Sequence, residues 1–145
     1  MDTQIPTFGE RLALTRLITD VENEANTNLK IIDDCYRRSG RAHLIGVTGA
    51  PGTGKSSLVN RIARLVRSES QKTVAIVAID PSSPFSGGAI LGDRVRMRDL
   101  AGDEGVFIRS MASRGELGGL ARATAAVVRV LDAAAAYRVA AEGGG

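Results

Sequence analysis

Apolar residues recur every three or four positions through the first forty residues. Leu14, Leu17, Ile18, Val21 and Ala25 form one stripe, and Ile32, Cys35 and Tyr36 form a second. This spacing predicts helices with one buried face. Asn26, Thr27 and Asn28 predict a break between them, because such side chains compete for backbone hydrogen bonds, and Ser39 and Gly40 stop the second helix. Beyond that point the pattern shortens. Leu44 to Val47 is a compact apolar run that predicts a strand, and Lys55 to Val66 predicts a helix with Leu58, Ile62 and Leu65 on its inner face. Thr73 to Ile79 is β-branched and apolar without alternation, the pattern of a strand buried on both faces.

Pro81 to Gly88, rich in proline, serine and glycine, predicts a loop. A short basic helix is expected over Arg94 to Leu100 and a third strand over Val106 to Arg109. Leu117, Leu120, Thr124, Val127, Val128 and Leu131 return to helical spacing, and the alanine- and then glycine-rich Ala133 to Gly145 is expected to be poorly ordered. Strands alternating with helices imply right-handed crossovers, so the expected fold is α/β: a parallel sheet with helices on both faces and a helical N-terminal extension.

The turn after the first predicted strand carries the chemistry. Gly49-Ala50-Pro51-Gly52-Thr53-Gly54-Lys55-Ser56 fits G-x-x-x-x-G-K-[ST] at every fixed position, between a predicted strand and a predicted helix. Glycines let successive backbone N–H groups turn inward toward an anion, and the helix start adds a partial positive charge. Lys55 supplies a point charge for β- and γ-phosphates, and Ser56 a hydroxyl for Mg²⁺. Asp80 ends the strand at the carboxyl edge of the sheet, where open α/β folds bind ligands, and Asp93 follows the glycine loop. Spacing alone leaves two readings of these carboxylates: ligands of a metal or its water, or a turn residue (Asp80) and a helix cap (Asp93).

Composition narrows the field. Of 145 residues 43% are hydrophobic and 24% charged, a balance of globular proteins, while aromatics are only 3%, too few for the stacking platforms of single-strand nucleic-acid binders. The net charge of +3 comes from basic residues spread along the chain, which reads as a mixed solvated surface; no nucleic acid or membrane partner is expected. One cysteine, Cys35, and one histidine, His43, allow neither an internal disulfide nor a Cys/His metal cage. A reducing, cytoplasmic setting is expected, with no membrane span or targeting signal.

Taken together, the phosphate loop, Ala78-Ile79-Asp80-Pro81-Ser82-Ser83, the long segment Ser86 to Met97 and Leu117-Gly118-Gly119-Leu120-Ala121-Arg122-Ala123-Thr124 resemble the MeaB/ArgK-type P-loop GTPases. These are chaperones of the cobalamin enzyme methylmalonyl-CoA mutase. Arg11 to Thr19 is similar to that family's opening helix, and the resemblance runs from about residue 8 to 136. It implies that Gly49, Ala50, Pro51, Gly52, Thr53, Gly54, Lys55, Ser56 and Ser57 wrap the phosphates of GTP. It also implies that Ser56, Asp80 and Asp93 contact Mg²⁺ directly or through water, and that Lys55 and Asp80 serve catalysis. Ser82 to Met97 would be the nucleotide-sensing switch. Implied partners are methylmalonyl-CoA mutase or a related cobalamin-dependent mutase, and a second copy in a homodimer.

The implied organisation is a helical extension over 1–40, a partial GTPase domain over 41–136 that is incomplete at its C-terminus, and a disordered tail over 137–145. The family's Glu-Thr-Val-Gly and guanine-reading Asn-Lys-x-Asp sequences do not occur. Asp99-Leu100-Ala101-Gly102 matches the second-switch pattern D-x-x-G but follows a basic helix instead of a strand. Weak, base-indifferent nucleotide binding with little turnover is therefore expected. The competing readings are a non-catalytic fragment, a small-molecule kinase, which would need a lid arginine cluster, and a nickel metallochaperone, which would need Cys/His clusters.

Overall fold

The computed structural model describes residues 5–23, 29–49, 53–80, 100, 102–112 and 117–143. They form two compact units, one of residues 1–42 with 116–145 and one of residues 43–115. The class is α/β, as the alternation predicts.

The first unit is helical. Helix α1 spans Arg11–Glu22, α2 Leu29–Arg38, and the last helix, here α4, Leu117–Gly143. α4 packs on α1 and on α2. Leu14, Leu17 and Ile18 of α1, Cys35 of α2, and Val127, Val130, Leu131 and Ala134 of α4 are buried, each set at helical spacing. Ile5 and Phe8 are as deeply buried, although they precede α1 in irregular chain. Tyr36, expected on the apolar stripe, lies at its rim: 48% exposed, its ring 4.5 Å from the Arg129 guanidinium. Asp132 of α4 accepts the N–H groups of Gly40 (2.5 Å) and Ala42 (3.1 Å), so its carboxylate caps the turn that ends α2. α4 runs on through the alanine-rich segment, where composition suggested poor order; alanine has the highest intrinsic helix propensity.

Burial pushes the Cys35 thiol up to about 11, with Asp34 adding to the shift and Arg38 opposing it. The thiol is then protonated at neutral pH, and its reaction with a soluble disulfide reagent is expected only after unfolding. Because the folded value exceeds the unfolded one, the associated stability is complete below about pH 9 and is lost as pH rises through about 11. The expected loss is about 2–3 kcal/mol, which urea titrations at pH 8 and pH 11 with and without Cys35→Ala would measure.

The second unit holds α3 (Lys55–Ser70), β1 (Val74–Asp80) and β2 (Val106–Ala112). The strands are parallel, Val74 opposite Val106 and Asp80 opposite Ala112. Ala63 of α3, Ile76, Val106 and Leu100 form the core between helix and sheet, with Val59, Val74 and Ile108 against it.

Three expectations change here. Leu44 to Val47 forms no strand: residues 43–49 are irregular, and Leu44 and Ile45 are exposed. A strand exists only by pairing, and among the described residues the sheet has two strands, neither paired with this run. For the same reason β1 is not buried on both faces; Ile76 is buried, but Ala75 and Ile79 on the other face are exposed. On α3 the buried position is Ala63, while Leu58 and Leu65, expected inward, are exposed because so narrow a sheet covers only part of the helix's apolar arc. The predicted loop at 81–88 lies outside the described residues, as does the basic helix at 94–100 except for Leu100, which is buried in the core.

Candidate nucleotide site

α3 begins at Lys55, directly after Gly54, whose φ of +88° is one that a side chain disfavours. The Gly54 carbonyl accepts the Leu58 N–H at 3.0 Å, the first bond of the helix. From the other side of the turn Gly49 comes close. A Cβ there would lie 3.1 Å from Thr53 Oγ1, close enough to push it back slightly, and 3.5 Å from Lys55 Cδ, an ordinary contact. Lys55 Nζ donates a hydrogen bond to the Gly49 carbonyl. The two described ends of the loop are thus held together, with Ala50, Pro51 and Gly52 between them outside the described residues. Thr53, Gly54 and Ser57 are exposed, and Lys55 and Ser56 half-buried.

Asp80 is the last residue of β1. α3 runs back from the loop to the turn at 71–73, from which β1 returns. Sixteen helical residues span about 24 Å and seven strand residues about 23 Å, so the end of β1 comes level with the start of α3. Lys55, Ser56 and Asp80 therefore share one end of the unit. Asp93 and the segment Ser82 to Met97 lie outside the described residues. A hydroxyl, a carboxylate and phosphate oxygens are the hard donors that Mg²⁺ takes, so this donor set fits that ion. Among the described residues no group of three or more His, Cys, Asp or Glu side chains could hold a metal by itself, and no helix is long and apolar enough to cross a membrane.

The opposite end carries a polar joint that the sequence reading missed. Arg67 donates from Nε and Nη2 to the two carboxylate oxygens of Asp103 at 2.7 and 2.8 Å, and from Nη1 to the carbonyls of Gln71 (3.1 Å) and Lys72 (3.0 Å). The Asp103 hydrogen bond raises the Arg67 pKa above its ordinary value, against a smaller effect of burial. Asp103 also accepts the Gly105 N–H at 2.9 Å, and the Gly105 carbonyl accepts the Val74 N–H at 2.8 Å. The legible signal was the Asp103-Glu104-Gly105 turn before a strand; its partner, 36 residues away, left no trace in the sequence. A shallow groove of about 430 Å³ lies beside this joint, lined by Arg64, Arg67, Ser68, Leu100 and Asp103, away from the phosphate loop.

Residues 14–145 match the family described as methylmalonyl-CoA mutase-associated GTPase MeaB. A protein of Pyrococcus abyssi that carries a GTPase name is 52% identical over 125 residues, covering 86% of this chain and 38% of the relative. The GTPase ArgK of Escherichia coli is 39% identical over 130 residues, 87% of this chain and 39% of ArgK. The mitochondrial methylmalonic aciduria type A homolog of Caenorhabditis elegans is 36% identical over 128 residues, 79% of this chain and 32% of that protein. The chain thus spans less than two-fifths of the length of each of these relatives.

Proposed function

The chain belongs to the MeaB family of GTPases, and from that premise we propose that it binds the triphosphate of GTP with Mg²⁺ as the nucleotide-holding part of a chaperone for methylmalonyl-CoA mutase or a related cobalamin-dependent mutase. The observation that carries the reading is the closed loop: Gly49 and Lys55 meet at the start of a 16-residue helix. Backbone amides of 49–57 and the helix start would cradle the phosphates, and Lys55 would exchange the Gly49 carbonyl for β- and γ-phosphate oxygens. Ser56 and Asp80, joined by Asp93, would hold the metal, which when bound neutralises charge on the phosphates. In sequence this nucleotide domain covers 41–136, preceded by the extension at 1–40 and followed by the tail at 137–145. A cytoplasmic setting and a homodimer belong to the same reading.

Titration with fluorescent GTP and ATP analogues tests it. The 145-residue chain has no Asn-Lys-x-Asp sequence to read guanine, so both analogues are expected to bind within about tenfold of each other. Strong preference for GTP would overturn base indifference, and binding of neither would overturn the nucleotide site. Capture of the mutase from a defined mixture, with and without GTP, tests the partner.

A further inference from the structure

The Arg67 joint lies at the end of the α/β unit away from the phosphate loop, and the chemistry proposed above makes no use of it. It binds three pieces of chain: the end of α3, the turn into β1 through Gln71 and Lys72, and the turn into β2 through Asp103. Gln71 adopts a left-handed conformation with φ of 56°, which a non-glycine residue takes at some cost, and Arg67 holds its carbonyl. Beyond the joint, helix and sheet meet in the small core of Ala63, Ile76, Leu100 and Val106. Ala63 is the buried residue of α3, and Leu58 and Leu65 are exposed. To that small apolar core the polar joint adds a directional hold at the end of α3, tied by charged hydrogen bonds to the turns into both strands.

α3 and β1 leave this joint side by side, and at their far ends stand Ser56 and Asp80. Two rods joined at one end are registered at the other only as well as the joint is fixed. We propose that Arg67, with Asp103, is a positioning residue for Mg²⁺: it sets the reach between Ser56 on the helix and Asp80 on the strand. This rests on the nucleotide reading above. The phosphate cradle comes from one continuous stretch, residues 49–57, and does not depend on where β1 ends. The metal pair draws on two elements, and Mg²⁺ tolerates little departure from about 2.0–2.1 Å octahedral coordination. Loosening the joint should spare phosphate binding and weaken the metal's share.

The test measures affinity of the 145-residue chain for a fluorescent GTP analogue in Mg²⁺ and in EDTA, with melting curves alongside. Arg67→Lys keeps the charge but loses the two-pronged contact, and Asp103→Asn is the milder disruption from the other side. Each is expected to lower the Mg²⁺-dependent gain in affinity about tenfold, leaving affinity in EDTA unchanged. A retained gain with a lowered melting temperature would show a joint that only stabilises and would overturn the proposal. Equal losses in both buffers would overturn it too, as general loosening. If the wild-type chain binds the analogue in neither buffer, the nucleotide reading itself fails. If it binds without any gain from Mg²⁺, the pairing of Ser56 with Asp80 fails and takes this inference with it.

Discussion

Lys55→Ala is expected to lower nucleotide affinity about a hundredfold or more. The side chain stands at the first position of α3, half-buried, and its ammonium already rests on an oxygen at the opposite side of the loop. A phosphate placed in the loop offers the same ammonium a fully charged acceptor. Removing it leaves the backbone amides and the helix start, which are partial charges only. The fold should be nearly indifferent, since the lost contact is an exposed side chain-to-carbonyl bond. Titration with a fluorescent GTP analogue, with circular dichroism as the control for folding, decides it. Unchanged affinity would remove the phosphate-loop assignment.

Gly105→Val is expected to lower stability by about 3 kcal/mol, seen as a melting temperature lower by about 10 °C. Gly105 is not among the positive-φ glycines, so its backbone conformation does not demand glycine. Its demand is steric: an added Cβ would fall on the Arg67 guanidinium, which packs flat against this backbone. Valine must therefore displace Arg67, breaking its charged bonds to Asp103 and its hold on Gln71 and Lys72. Differential scanning calorimetry of the variant measures the effect. A melting temperature within a degree or two of wild type would show that the guanidinium finds an equivalent seat.

The two changes act at opposite ends of one helix, and the sequence was not equally informative about them. The Lys55 end was readable because its proposed chemistry is contiguous: a loop, a helix start and the residues assigned to an anion all fall within one stretch. The Arg67 end was not, because a guanidinium near a helix end is compatible with any solvated surface until its carboxylate partner is known. Asp132 is similar. Its carboxylate caps the Gly40 to Ala42 turn across some ninety residues of chain, and nothing local marks it as a cap.

Helical spacing by itself determined α1, α2 and α3, because burying one face of a helix leaves a repeat of about 3.6 in the residues that form it, and short apolar runs between the helices marked both strands and with them the α/β class. The glycine-rich turn into α3, on which the proposed nucleotide site rests, was legible in the same local way. What periodicity could not supply was how many neighbours each apolar face would find. Leu44 and Ile45 carry the composition of a strand, yet they lie exposed in irregular chain, and Leu58 and Leu65 continue a perfect helical stripe into solvent. Tertiary structure decided these, as it decided the Arg67 joint. An apolar pattern records the tendency to be covered, and only the arrangement of other elements settles whether a cover is there.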